Sequence, residues 1–181
     1  MGVELILFYV AAAVAVAAAA LVVTRLNASH ALIYLVVSLL AIAVMFYLLG
    51  APFAAALEVV IYAGAIVVLF LFVVMMLNLG RRTVERERRW LEPRGWIGPT
   101  ILAAILFVEM MYAIVGNTVP TASEGVGPKA VGIALFQEYL LAVELAAILL
   151  LAALVGAYHL GRRYLSDRRE EVDSPMEETS S

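Results

Sequence analysis

The sequence has no cysteine and few charged residues. Without thiolates, the 181-residue chain cannot form disulfides, ligate an iron–sulfur cluster through cysteine or build a cysteine-based zinc site. Charged residues make up 15% of the sequence and apolar residues 65%, whereas roughly half is the usual apolar share of a soluble domain. A soluble domain of this size could not bury so much apolar surface. The composition predicts an integral membrane protein, and the net charge of −3 gives no indication of a nucleic-acid partner.

Apolar residues gather in five long runs, at residues 5–23, 31–49, 53–77, 97–115 and 139–160. A bilayer core is about 30 Å thick, so a helix of about 20 residues crosses it. The runs lack the alternation typical of barrel strands, and lipid tolerates only helices or closed barrels. We therefore predict an all-α membrane domain of five transmembrane helices over residues 1–165.

The connections between these runs are short except in two places. Residues 50–52 predict a tight turn, so that the second and third helices form a hairpin. Residues 116–132 contain Pro120, Pro128 and several glycines, and predict a loop. Residues 166–181 are polar and are expected to be disordered, because they offer little apolar surface to offset the entropy lost on ordering.

Arginine and lysine are distributed very unevenly between the two sides of this topology. Arg25, the six arginines of residues 81–94 and the four that follow Gly161 share one side, while Lys129 alone lies on the other. Basic residues are enriched in cytoplasmic loops. We expect the N-terminus outside, the C-terminus in the cytoplasm and the chain in the inner membrane as a multi-pass protein.

Three glutamates fall within the predicted spans: Glu58, Glu109 and Glu144. A charged side chain at mid-bilayer costs about 2.5–3.5 kcal/mol on insertion scales, so such residues are candidates for function. One interpretation is a set of carboxyl groups that exchange protons. The other is a carboxyl that reaches the headgroups or bonds to a neighbouring helix, and this second interpretation is favoured for Glu109.

The third run carries a distinctive segment from Glu58 through Tyr62 to Gly64. Glu58 and Tyr62 are four residues apart and would share one face of an α-helix. The small residues around Gly64 allow another backbone to approach closely, and glycine lets a helix deform into a π-bulge. A glycine that serves only close packing is the alternative. His30 and His159 are far apart in sequence, and the chain offers no credible catalytic centre of its own and no metal site.

The segment from Ala56 to Gly80 closely resembles the third helix of the subunit J family of bacterial respiratory complex I, whose mitochondrial counterpart is subunit 6. Residues 30–41, 96–99 and 130–146 are similar to other helices of that family. The resemblance covers residues 1–165 and implies a membrane-arm subunit of NADH:quinone oxidoreductase. It also implies FMN, iron–sulfur clusters, NADH and quinone as cofactors and substrates of the complex, with no cofactor in this chain.

The same resemblance implies partners and residue roles. The partners would be the quinone-site subunit, subunits A and K and an antiporter-like subunit, within the lipid bilayer. Gly64 would be the flexible point of a helix that changes between α and π forms, Tyr62 a reorienting side chain, and Glu58 and Glu144 carboxyl groups of the proton path. A purely structural assembly subunit of the complex and a module of a related cation/proton antiporter are the alternatives.

Overall fold

A computed structural model describes residues 2–25, 28–77, 93–115 and 125–178, and these are helical with no strand among them. Two compact units divide the chain, Met1–Pro128 and Lys129–Ser181. The elements are α1 (Val3–Thr24), α2 (Ala28–Leu48), α3 (Pro52–Leu57), a π-helix (Glu58–Ile66), α4 (Val67–Leu77), α5 (Pro93–Val115), α6 (Pro128–Gln137) and α7 (Leu140–Glu178).

Five stretches of helix are long and apolar enough to cross a membrane, as the sequence predicts. They are Val3–Thr24, Ala28–Leu48, Pro52–Met76, Trp96–Val115 and Leu140–Arg162. Each lies within a few residues of its predicted bounds. The third span is composite, because α3, the π-helix and α4 follow one another without a gap.

The core of the first unit lies where α1, α2 and α5 meet. Its fully buried residues are small or β-branched, with one leucine: Ala11, Val14, Ala18, Val37, Ala41, Val44 and Leu106. Small residues let helix backbones approach closely, which drives helix association in a membrane where the hydrophobic effect between helices is absent. The buried face of α1 includes Ala11 and Ala18, whereas Ala19 is exposed.

A buried hydroxyl adds a polar tie between the first two helices. Ser38 Oγ in α2 donates a hydrogen bond of 3.0 Å to the Ala15 carbonyl in α1. Ser38 is 6% exposed, so this bond lies away from solvent. Measured interhelical bonds of this kind contribute about 0.6 kcal/mol on average. The bond therefore contributes more to the rotational orientation of α2 about its axis than to the stability of the fold.

The turn between α2 and α3 has the predicted form. Gly50 adopts a φ of 78°, a left-handed conformation that glycine accepts without strain. Pro52 stands at the start of α3, where its missing N–H removes no helical hydrogen bond. The Val126 N–H donates to the Gly50 carbonyl at 2.9 Å, which ties the segment after α5 to this turn.

Tyr34 forms a tight contact with the start of α5. Its side chain is 2% exposed, its ring lies under the Arg25 guanidinium at 5.3 Å, and its hydroxyl accepts a 3.4 Å hydrogen bond from that group. A Cβ placed on Gly98 would lie 3.2 Å from Tyr34 Cζ and would clash with the Tyr34 hydroxyl. Position 98 therefore requires glycine, because a side chain there would clash with Tyr34.

We expect Gly98→Ala to destabilise the chain by about 1–3 kcal/mol, because the added methyl overfills this contact. The measurement is thermal unfolding of the full chain in detergent. Gly156→Ala is the matched control, since no heavy atom lies within 4 Å of a Cβ at that position. Equal unfolding temperatures for Gly98→Ala and the unmodified chain would contradict the tight contact.

The second unit differs from the prediction at both ends. Residues 128–132 were assigned to a loop, but they open α6, which ends at Gln137 before a break at Glu138 and Tyr139. Proline is well tolerated in a first helical turn, so Pro128 starts this helix. The helix α7 continues past the apolar run to Glu178, although disorder was expected from residue 166. Leucine, arginine and glutamate favour helix, so a polar composition alone does not stop it. Residues 116–124 and 179–181 lie outside the described residues.

Candidate functional site

The third span departs from α geometry over Glu58–Ile66, which form a nine-residue π-helix. The transition begins at the Glu58 N–H, which is shared between the carbonyls of Ala54 and Ala55. It ends where the Val67 N–H bonds to the Tyr62 carbonyl, five residues back. A π-helix is rare and is frequently found at functional sites. The wider π turn also rotates α4 about the helix axis, relative to the orientation that α4 would have in a continuous α-helix.

Local sequence accounts for the position of this π segment. Ala63, Gly64 and Ala65 supply a turn without bulky side chains in a run otherwise rich in β-branched residues. A Cβ at Gly64 would lie 3.1 Å from the Val59 carbonyl oxygen, which is five residues earlier. That distance is tighter than ordinary van der Waals contact. Glycine at position 64 therefore suits the π form, and a larger residue would have to displace backbone.

One side of the π segment packs against the rest of the first unit, and the other side is open. Ala63 and Val67 are buried against the bundle, Glu58 is partly buried, and the Tyr62 side chain is 52% exposed. Val60 and Ile61 are also exposed. The Glu58 and Tyr62 side chains thus lie about one turn apart on a segment with much of its surface available to lipid or a neighbouring chain.

An apolar groove of about 870 Å³ runs beside this segment, between α2, α3, the π-helix and α5. Val59 of the π segment lines it, together with Tyr47 from α2 and Phe107 from α5. The remaining lining is almost entirely apolar, with Thr100 as its other hydroxyl. The π segment therefore borders this groove through Val59.

Glu58, Tyr62 and Gly64 are brought together on one nine-residue element. Glu144 is exposed on α7, in the second unit. His30 and His159 belong to different units. Within the described residues no group of three or more histidine, cysteine, aspartate or glutamate side chains could hold a metal ion.

Two features of the first unit have little or no sequence signal. Glu109 is the most deeply buried glutamate of the described residues, 4% exposed, although the sequence favoured an interfacial or bonded carboxyl there. The Arg25–Tyr34 contact joins the C-terminal end of α1 to α2. The only sequence signal for this contact is an arginine at a helix end followed nine residues later by a tyrosine.

Comparison with known proteins gives consistent matches over most of the chain. Residues 18–160 match the family model described as NADH-ubiquinone/plastoquinone oxidoreductase chain 6. NADH-quinone oxidoreductase subunit J of Pseudomonas aeruginosa is 58% identical over 159 residues, covering 86% of this chain and 95% of the relative. The protein of the same name from Escherichia coli strain K12 is 53% identical over 170 residues, covering 91% and 92%. The Rhodobacter capsulatus subunit J is 36% identical over 176 residues, covering 93% and 87%.

Proposed function

The chain belongs to the NADH-ubiquinone/plastoquinone oxidoreductase chain 6 family, as a complex I subunit J, and from this membership we propose that it couples quinone reduction to proton translocation. It is a multi-pass membrane subunit of an enzyme complex, and other complex I subunits are its partners. The coupling role, with no electron carried by this chain, is the proposed part.

The π-helix at Glu58–Ile66 is the observation that supports coupling. A π segment holds one more residue per span than an α-helix of the same length, so conversion between the two forms must rotate or shift the residues that follow. Gly64 permits the wide turn, and the exposed Tyr62 side chain would swing as the segment converts. The movement would open and close a water path past Glu58.

Carboxyl groups serve the proton path in this proposal, because they can bind and release a proton at low cost in geometry. Glu58 would pass protons beside the π segment, and Glu144 on α7 would continue the path through a neighbouring subunit. Both groups have side-chain surface open to water or to a partner. The iron–sulfur clusters would belong to other subunits, since this chain has no cysteine to ligate them. We propose that FMN, NADH and quinone are likewise bound by other subunits of the complex.

We further propose that the neighbours are the quinone-site subunit, subunits A and K and an antiporter-like subunit, in the inner membrane. Exposed apolar side chains on α4 and α7, among them Phe70, Phe72, Leu149 and Leu154, offer the surface that such neighbours would cover. Helix association in lipid depends on close packing of this kind.

Affinity purification of the full chain in mild detergent tests this assignment. We expect a large flavin- and iron–sulfur-containing assembly to co-purify and to reduce quinone with NADH. Recovery of the chain with antiporter-like proteins alone, together with cation/proton antiport in membranes without NADH oxidation, would support the antiporter alternative instead.

We expect the C-terminus in the cytoplasm, because the predicted topology places eleven basic residues on the C-terminal side of the membrane and one on the other side. Most of the loop arginines, at residues 81–89, lie outside the described residues. A fluorescent protein that folds only in the cytoplasm, fused after Ser181, should fluoresce, and a periplasmic phosphatase fused at the same place should be inactive. The reverse pair of results would overturn the orientation.

A further inference from the structure

Glu109 occupies an unusual position in α5. It lies six residues before the helix ends at Val115, about 9 Å along the axis at 1.5 Å per residue. Its side chain is only 4% exposed. Neither carboxyl oxygen has a hydrogen-bond partner among the described residues. A buried polar group in this state needs a physical explanation, because an unpaired acceptor loses its hydration without compensation.

The surroundings of Glu109 are mostly apolar and belong to α1 and α5. A groove of about 610 Å³ runs between α1 and α5, and Glu109 shares its lining with Leu7, Val10 and Ile105. The carboxyl group approaches the backbone of Ala11, on the buried face of α1. No cationic side chain lines this groove among the described residues.

The other ionisable groups on α1, α2 and α5 lie outside the groove that Glu109 lines, with one exception. Among the side chains that the structure describes, those groups are Glu4, Tyr9 and Arg25 on α1, His30, Tyr34 and Tyr47 on α2, and Tyr112 on α5. Tyr112 shares the groove lining with Glu109, but its side chain is 51% exposed. Arg25 is engaged with Tyr34. The charge of an ionised Glu109 would therefore have no compensating cation among the side chains that the structure describes.

The hydrogen-bonding capacity of α1 distinguishes the two forms of the carboxyl group. An ionised carboxylate only accepts hydrogen bonds, whereas the acid form has one O–H donor. The Ala11 N–H lies inside α1 and is committed to the helical bond with the carbonyl four residues earlier. Backbone carbonyls have a second lone pair that a helix leaves unused. The backbone of α1 can thus satisfy the acid and cannot satisfy the carboxylate.

We propose that Glu109 is a proton-binding site that is occupied at neutral pH, with its O–H donating to a backbone carbonyl of α1. The bound proton holds α1 against α5. This site is separate from the proposed proton path, because Glu58 and Glu144 have exposed surface and Glu109 is buried between α1 and α5.

Infrared spectroscopy of the full chain reconstituted in liposomes at pH 7 tests the site. The unmodified chain should show the carbonyl stretch of a protonated carboxylic acid, and Glu109→Gln should lose it. Glu138→Gln is the matched control, since Glu138 is exposed between α6 and α7 and its removal should leave the band unchanged. Glu109→Met, which also removes the carboxyl group, replaces the Gln variant if that variant does not fold.

A difference spectrum without a carboxylic-acid band would overturn the proposal, because Glu109 would then be ionised. Thermal unfolding gives a second readout that a purely packing role would not change. As pH rises, the unmodified chain should lose several degrees of unfolding temperature relative to Glu109→Gln, because deprotonation leaves an uncompensated buried charge. Parallel pH profiles for the two chains would also overturn the proposal.

Discussion

Replacing Gly64 by valine is expected to abolish most quinone-linked proton pumping while the complex still assembles. A Cβ at this position already lies 3.1 Å from the Val59 carbonyl, and the two Cγ atoms of valine add further crowding. Overfilled contacts cost about 1–3 kcal/mol. Applied to an equilibrium between α and π forms, such a cost shifts the populations by about 5- to 150-fold. The helix would be held in one form.

Proton uptake into inverted vesicles, driven by NADH and normalised to the amount of assembled complex, measures this effect. Gly156→Val is the matched control: it makes the same change in a membrane-spanning helix where a Cβ meets no atom within 4 Å. We expect the control to pump normally. If Gly64→Val also pumps normally in an assembled complex, the π segment has no part in coupling.

Replacing Glu58 by glutamine should separate the coupling role from a scaffold role. Glutamine keeps the size and polarity of the side chain but cannot carry a proton, so assembly should be retained. Positioned proton-transfer groups contribute about 10²–10⁴-fold to a rate, so we expect proton pumping to fall about tenfold or more. Glu58 is partly buried and belongs to the π segment, so a fall in proton pumping would assign the proton transfer to that segment.

The measurement compares pumping with the quantity of assembled complex in the same membranes. Glu138→Gln, an exposed carboxyl outside the spans, should behave like the unmodified chain. A purely structural subunit predicts little change for Glu58→Gln as well. Normal pumping by this variant would therefore support the scaffold alternative and remove Glu58 from the proton path.

The number and approximate bounds of the spans could be predicted because long apolar runs carry that information directly. The turn at Gly50 and Pro52 was predictable for a similar reason, since each residue has a strong backbone preference. The far end of α7 was not predictable from composition. Residues 166–178 are polar, and local helix propensity acts there without any apolar face to reveal it.

The candidate site could be predicted only in part from the sequence. Small residues around Gly64 indicated a deformable helix, but they did not show that the π segment extends over nine residues, from Glu58 to Ile66. The sequence placed Glu109 in a span without showing which side of α5 it occupies. Its burial follows from the approach of α1 to α5, a tertiary contact that no local pattern encodes.

The central claim is that the π segment changes form during turnover, and cysteine labelling tests it most directly. Because the chain has no cysteine, Ala65→Cys gives it a single thiol on an exposed π position, with Ala17→Cys on regular α1 as control. We predict that NADH turnover changes the maleimide labelling rate at position 65 several-fold and leaves position 17 unchanged. Labelling at position 65 that is the same at rest and during turnover would contradict the account.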